Sequence, residues 1–536
     1  MNKLFGRNYN QWTVNIALIV GVISIPIFII YINLFGDDSP TWSHITSNLL
    51  PQYVINTTFL VSGSIILTLT FGTLSGWLVA AHEFPLRKQL SWLLVLPLTI
   101  PTYIAAYAYS GLFEYTGPIF SFLRNTLGLE TNGINIRNIY GAIVVISSVL
   151  YPYVYIAARA SFLSDSGRLF EAARTLGSSP FANFWRVVLP VSRPAIVAGL
   201  SLVIMEVLNE YGAVKYYGVN TFTTGIFRAW FSLEDLQAAI YLSAILMTFV
   251  FALIIAERMQ RGRRQFKSGS GDTPIGRYKL KGGQKILATL FCLVPLIAGF
   301  VLPIVQLFYW ARLTFGKVVR DNFGQLVGNS FFLSALAAII CVIVSILLVY
   351  SVRLGRSKRS ELLSKIASLG YSIPGAAMAV GIMMTALFVD RVFFQALNIS
   401  TGLVLTGSLF ALVYAYVVRY LAVGYNPIDS GFNKITFSLT EVSRTLGVGP
   451  LRSLFLINLP LLKPALWSAL LLVFVDVMKE LPLTLILRPF NFETLATRAF
   501  RYANDEMVPE SAPVSLIIIA TAIIPVIFLN RKIDQN

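Results

Sequence analysis

Four carboxylates offer the clearest chemistry in this sequence of 536 residues. Glu206 and Glu210 precede Asp476 and Glu480 by one constant offset, since 476 − 206 = 270 and 480 − 210 = 270. In each half a spacing of four residues places both side chains on one face of a helix. Carboxylate oxygens bind hard cations, and electronegative clefts concentrate such ions. The pattern therefore predicts that the four side chains line a path for a cation and bind the metal ion transiently.

The same carboxylates also have a structural interpretation. Lys215, Lys479 or backbone groups would neutralise them, and the carboxylates would then only hold helices together. Under either interpretation they face a protein interior or a wet cavity, because a charged side chain in lipid costs at least about 2.5 kcal/mol.

The sequence lacks the residues that other catalytic or metal-binding sites would need. The two cysteines, Cys292 and Cys341, lie in apolar stretches and are interpreted as small core residues. The chain has two histidines and no C-x-x-C or H-E-x-x-H pattern, so a stable zinc or iron–sulfur site is not expected. The phosphate-loop lookalike at 271–276 is followed by Arg277 and Tyr278 instead of Lys and Ser or Thr. We therefore expect no enzyme activity, no ATP hydrolysis and no bound cofactor in this chain.

The composition places the elements that carry these residues in a membrane. Hydrophobic residues make up 56% of the chain and charged residues 12%, about half of the roughly 25% that soluble domains carry. A helix needs about 20 apolar residues to cross the hydrocarbon core. Twelve stretches satisfy this, at 12–34, 55–80, 90–113, 140–163, 194–216, 237–257, 286–311, 329–352, 364–389, 403–425, 464–487 and 511–530.

The positive charges orient these helices. The formal net charge is +17, and basic residues concentrate in alternate loops such as 87–88, 258–267 and 353–359. By the positive-inside rule these loops, and with them both termini, are predicted to be cytoplasmic. The charge is thereby assigned to membrane orientation and not to nucleic-acid binding. Arg159 and Arg419 are predicted to lie toward the cytoplasmic ends of the fourth and tenth spans and to extend their charges to the membrane surface.

The chain divides into two homologous halves around a linker. Residues 258–285 are basic and rich in Gly and Ser, which indicates a cytoplasmic linker between membrane domains 1–257 and 286–536. EAARTLGSSPFANFWRVVLPVSRPA at 171–195 matches EVSRTLGVGPLRSLFLINLPLLKPA at 441–465 with ten identities and no gap. Because each half has six spans, the halves are parallel repeats. The predicted fold is an all-α membrane protein of about twelve helices.

The repeated loop has the residues of a stiff elbow. Gly177 is predicted to turn the chain through positive φ, and Pro180 to begin the next short helix. Pro190 and Pro194 are predicted to break that helix before the fifth span begins. Such a helix–turn–helix could carry a push from a soluble partner to the membrane helices. The alternative is an ordinary connecting loop that survived duplication.

At this loop the sequence resembles the permease subunits of binding-protein-dependent ABC importers, whose cytoplasmic loop reads E-A-A-x(3)-G. The matching residues are Glu171, Ala172, Ala173 and Gly177 in the first copy, and Glu441 and Gly447 in the second. The second copy has Val442 and Ser443 in place of the alanines, so its contact with an ATPase is expected to be looser. The resemblance implies MetI-like halves whose loops dock on two copies of an ATP-binding subunit. That partner would bind ATP and Mg.

Two further segments narrow the resemblance. Residues 209–235 and 476–505 are similar to the regions after each loop in ferric-iron-type permeases. This implies transport of Fe³⁺, delivered by a periplasmic or extracellular binding protein, across a bacterial inner membrane. Thiamine or another small solute is the alternative cargo. The alternative class is a secondary transporter with two six-helix halves, which would need no repeated elbow.

Overall fold

The computed structural model describes residues 11–36, 38–128, 135–163, 177, 180–261, 277–320, 322–355, 357–397 and 404–533. Over these residues the chain is almost entirely helical, which confirms the predicted all-α membrane fold. Before the linker the helices are α1 (Gln11–Ile32), α2 (Trp42–Ala81), α3 (Arg87–Leu93), α4 (Thr102–Leu112), α5 (Pro118–Leu127), α6 (Ile139–Leu163), α7 (Phe184–Asn209, preceded by the turn Pro180–Asn183), α8 (Gly212–Tyr216), α9 (Phe222–Phe231) and α10 (Leu236–Arg261). After the linker they are α11 (Gly283–Val318), α12 (Phe323–Gly355), α13 (Lys358–Ala367), α14 (Gly375–Leu397), α15 (Leu409–Lys434), α16 (Phe437–Thr445), α17 (Pro450–Met478), α18 (Pro482–Leu487), α19 (Leu495–Asn504) and α20 (Ser511–Ile533).

Eleven of the described helices are long and apolar enough to cross a membrane. The predicted third span is a bent pair, Arg87–Thr99 and Thr102–Leu112, whose two parts meet at 95°, and it makes a twelfth span if counted as one. The bend falls at Pro101, which cannot donate a backbone hydrogen bond and which holds Ile100 in an extended conformation, with ψ 118°. The prediction of about twelve spans is therefore confirmed.

The described residues also contain two short strands. β1 (His82–Glu83) follows α2, and β2 (Tyr278–Lys279) lies at the end of the predicted linker. The strands pair in parallel, with His82 opposite Tyr278 and Glu83 opposite Lys279. The linker is thereby attached to the loop between α2 and α3.

The chain forms two compact units that are not contiguous halves of the sequence. The first unit is built from the described parts of Met1–Ser39, Glu234–Ala244 and Asp321–Arg498. The second unit is built from those of Pro40–Leu233, Ile245–Arg320 and Ala499–Asn536. The division at 257 and 286 stays a prediction about the sequence repeat, because compactness follows helix packing and not chain order.

Inside each unit a helix from one sequence half packs on helices from the other. In the first unit α1 lies against α12, α13 and α14, and α12 packs on α15 and α17. In the second unit α2 packs on α6, while α11 lies against both of these helices and against α4 and α20. Cys341 is buried in the first unit and Cys292 in the second, and neither forms a disulfide, which confirms both as core residues.

Proline occurs repeatedly inside these helices, and each of four Leu-Pro pairs directly follows a π-helical turn. The turns are Ile45–Leu49, Phe184–Val188, Ile297–Val301 and Leu454–Asn458. In the second of them the N–H of Leu189 bonds to the carbonyl of Phe184, five residues back. This wider turn makes room for the proline ring, which would otherwise clash with the carbonyl four residues before it. The prediction that Pro190 and Pro194 break the helix is therefore wrong, since α7 continues through both.

Candidate functional site

Each elbow (residues 171–190 and 441–460) turns at a glycine. Among the predicted coupling residues, Glu171, Ala172 and Ala173 lie outside the described residues. Gly177 has φ +82° and Gly447 has φ +77°, so the predicted positive φ at Gly177 is confirmed and recurs in the second elbow. No atom lies within 4 Å of a Cβ built at either position. Backbone conformation, and not crowding, therefore favours glycine at both turns.

The second elbow is closed by bonds between its two arms. The N–H of Val448 donates to the carbonyl of Ser443 at 3.0 Å, across the Gly447 turn, which is the bond of a glycine-capped helix end. The hydroxyls of Ser443 and Ser453 lie 2.9 Å apart, and both side chains are buried. Ser443, which stands where the loop pattern has alanine, thus fixes α16 against the start of α17.

The C-terminal end of α12 holds the second elbow on both sides. The Tyr350 hydroxyl donates to the carbonyl of Pro450 at 2.6 Å, where α17 begins. The Arg353 guanidinium donates to the carbonyls of Phe432 at 2.5 Å and Ile435 at 2.6 Å, where α15 ends. A displacement of the elbow must therefore move α12, α15 and α17 with it.

The first elbow is held at the equivalent place by aromatic rings. Trp77 of α2 corresponds to Tyr350, because 350 − 77 = 273, the offset that relates α2 to α12. Its ring lies edge-on to Phe162 at 5.6 Å between centroids and tilted against Phe184, the first residue of α7, at 5.2 Å. His82 of β1 packs on the other side of Trp77 at 5.7 Å.

The outer face of the second elbow is apolar and exposed. Leu446 is 77% exposed, and Val442 and Leu451 are more than half exposed. Glu441 is exposed beside them. Apolar groups grouped around a charge on a polar loop are typical of a protein-binding surface. The surface has the character that docking on a soluble subunit requires.

Two of the four predicted path carboxylates lie at helix breaks. α7 ends at Asn209, and Glu210 is extended, with ψ 124°. α17 ends at Met478, two residues before Glu480. The prediction that each carboxylate pair shares one helix face is therefore wrong, because the second carboxylate of each pair lies beyond its helix.

The carboxylates at these breaks bind the N-termini of the short helices that follow. The N–H of Ala213 donates to Glu210 Oε1 at 2.8 Å, and the Thr102 hydroxyl donates to Glu210 Oε2. The N–H groups of Leu483 and Thr484 donate to Glu480 Oε1 and Oε2, each at 3.1 Å. The backbone contacts weighed as the structural alternative are thus present for both glutamates.

The other two carboxylates lie on the helices, half-buried. Asp476 pairs with Lys479, with 2.8 Å between Oδ1 and Nζ, as the structural alternative predicted. Glu206 lies at the equivalent position of α7. Within the described part of the chain no three His, Cys, Asp or Glu side chains form a group that could hold a metal ion. The transient metal role of the four carboxylates stays a prediction.

Two intramembrane arginines bind backbone carbonyls. Arg419 lies in the middle of α15, is buried, and donates to the carbonyl of Ile373 at 3.2 Å, so the prediction that it extends to the membrane surface is wrong. Arg159, in the last turns of α6, is half-buried and donates to the carbonyl of Ser91 at 3.3 Å.

Sequence reasoning missed Thr102 and Arg353. Thr102 begins α4 directly after Ile100–Pro101, and Ile-Pro recurs 273 residues later at Ile373–Pro374. That recurrence indicates that the third span of each half breaks at this proline. The break brings further hydrogen-bonding residues to the site. No comparable signal marked Arg353, because the equivalent position in the first half is Ala80.

Comparisons with known proteins show similarity to transport permeases. Residues 69–262, which include the first elbow, Glu206 and Glu210, match the family described as binding-protein-dependent transport system inner membrane component. The chain is 24% identical to an Fe(3+)-transport system permease protein of Haemophilus influenzae over 90% of both chains. It is 22% identical to a ferric transport system permease protein of Actinobacillus pleuropneumoniae, over 86% of this chain and 69% of that protein.

A shorter similarity covers one part of the chain. A sulfate transport system permease protein of Escherichia coli is 31% identical over 153 residues, which are 28% of this chain and 52% of that protein. The relative matched over 90% of both chains, the matching family domain and the apolar helices all indicate a membrane transport protein. The chain is thus a multi-pass membrane protein that is similar to a transport permease along 90% of its length and to the binding-protein-dependent transport family over residues 69–262.

Proposed function

We propose that this permease moves ferric iron inward, driven by two copies of a separate ABC ATPase and supplied by an external binding protein. One ATPase docks on each elbow, and both termini are cytoplasmic. ATP-driven closure of the ATPase pair moves the elbows, and through them the path opens alternately to the two sides of the membrane. ATP and Mg are bound by the partner.

The observation that carries this proposal is the second elbow. It exposes Leu446 and Glu441 to a partner while Arg353 and Tyr350 tie it to three membrane helices. A loop that only joined two helices would gain nothing from an exposed apolar face, and a secondary transporter would need no such lever.

Ferric iron as cargo is supported by the length of the similarity. The relatives whose names state ferric transport match along 86–91% of this chain, whereas the Escherichia coli sulfate permease matches 28% of it. The four carboxylates belong to the proposed path. The hydrogen bonds of Glu210 and Glu480 support a capping role in that path.

Three measurements test the proposal. Affinity purification of the tagged chain should bring down an ABC ATPase in about twice the molar amount of the chain. Cells with the gene should accumulate radioactive iron that excess thiamine does not compete away, and cells without it should not. Uptake driven by ion coupling would be abolished by a protonophore while ATP is held constant, and that result would replace the importer by a secondary transporter.

A further inference from the structure

A large cavity lies wholly within the second unit, outside the carboxylate sites described above. Its volume is about 1150 Å³, and it is lined by the ends of α4, α5, α8 and α11 and by residues 500–509. All of these segments lie toward the predicted outer side of the membrane. A ferric ion with six waters needs roughly 200 Å³, at about 30 Å³ for each molecule, whereas cavities for organic molecules measure about 300–1,000 Å³. The cavity is too large to be fitted to a hydrated ion.

The cavity presents two cations that no carboxylate neutralises. Arg137 and Lys215 both line it, and neither forms an ion pair with any residue that the structure describes. Arg137 is held in place, because its Nε donates to Ser110 at 2.7 Å and its Nη2 to the Tyr216 hydroxyl at 3.1 Å. Its guanidinium also lies over the Tyr216 ring, 5.0 Å from the centroid. The remaining nitrogen, Nη1, is left for a ligand.

Neutral groups in the same lining lack partners as well. The Tyr107 hydroxyl is buried and makes no hydrogen bond to any described residue. Gln306 is 3% exposed, and its side-chain amide has no partner within the described ranges. A buried polar group without a hydrogen bond is unfavourable, so an oxygen-rich ligand that supplies one would be stabilised here.

The cavity also contains acidic groups. Glu114 and Glu506 are exposed in its lining. Arg137 and Lys215 would repel a bare Fe³⁺, and the two glutamates would repel a simple anion. A metal chelate presents both signs, since its carboxylate groups suit the cations and its metal centre suits the glutamates.

We propose that this cavity binds ferric iron as a carboxylate-bearing organic chelate, and not as the bare ion. The inference rests on the proposed function and refines its substrate class. Arg137 and Lys215 bind the chelator's carboxylates, and the side-chain amide of Gln306 donates to one of its remaining oxygens.

Ferric citrate made with radiolabelled citrate and iron is the probe. Equilibrium dialysis against the purified full chain in nanodiscs should show saturable binding of both labels in a fixed ratio. Binding should weaken at least fivefold in Arg137→Gln/Lys215→Gln, and Arg137→Lys should retain part of it. Lys317→Gln removes an exposed lysine of α11 outside the cavity and should bind as the wild type does. Size-exclusion elution checks that each variant is folded.

The outcomes separate the two proposals. Gene-dependent iron uptake in cells, without saturable citrate binding or with equal binding by the double variant, overturns the chelate inference and leaves ferric transport standing. Absence of gene-dependent iron uptake overturns ferric transport, and the chelate inference fails with it.

Discussion

The two elbows share the backbone features that the structure describes in both, and they are held by different chemistry. Both turn at a glycine of positive φ and lead through a π-helical turn into a proline-containing helix. The first is supported by the packed rings of Trp77, Phe162 and Phe184, and the second by hydrogen bonds from Arg353 and Tyr350. Duplication has thus kept the glycine turn and the π-helical turn, while the contacts that fix each elbow to the membrane helices have diverged.

The largest effect is expected at the feature that the elbows share. Gly177→Val/Gly447→Val forces a β-branched residue into the left-handed region twice, at roughly 1–2 kcal/mol or more for each position. We expect iron uptake and ATPase co-purification to fall to background. Gly316→Val is the control, because Gly316 is exposed in α11 with open space around it and no positive φ. Normal uptake by the double variant would show that the elbows are not levers.

Removing the aromatic support should affect the first elbow alone. Trp77→Ala deletes a buried ring and should lower the free energy of unfolding by about 3–5 kcal/mol. Trp77→Phe should restore most of it, since a smaller ring still packs on Phe162 and Phe184. Thermal unfolding in detergent measures both variants. A loss for Trp77→Ala no greater than that for the exposed Trp467→Ala would contradict the packing role.

Removing the hydrogen-bonded support should affect the second elbow by a smaller amount. Arg353→Ala leaves the carbonyls of Phe432 and Ile435 without their charged donor, at about 1.5–3 kcal/mol. We expect a lower melting temperature and several-fold slower iron uptake, with partial rescue by Arg353→Lys. Arg312→Ala, at an exposed arginine of α11, is the matched control and should change neither quantity.

The smallest effect should distinguish the two capping glutamates. Both oxygens of Glu480 accept backbone N–H groups, so the amide of Glu480→Gln must face a donor and should lose about 1–3 kcal/mol. In Glu210→Gln the amide can face the Thr102 hydroxyl, which can rotate to accept, so we expect a smaller loss. Calorimetry of both variants tests the order. Equal stability with abolished iron uptake in both would favour the path role over the capping role.

The repeat made much of the fold and site predictable. The 270-residue offset places the turns Pro180–Asn183 and Phe184–Val188 in register with α17's first turns, and it pairs Glu210 with Glu480 at equivalent breaks. The breaks themselves were missed. Hydropathy continues through both α8 and α18, whereas the extended backbone at Glu210 and the end of α17 at Met478 show that each helix has ended.

The sequence alone determined the membrane class, about twelve spans, the glycine turns and the duplicated elbow, because apolar length, backbone φ and an internal match are local properties of the chain. Tertiary structure decided which helices share a unit, that Arg353 and Trp77 support equivalent elbows, and that Arg419 is buried against a carbonyl. Those facts depend on contacts between residues distant in the chain. No periodicity or composition encodes which partner satisfies a given polar group.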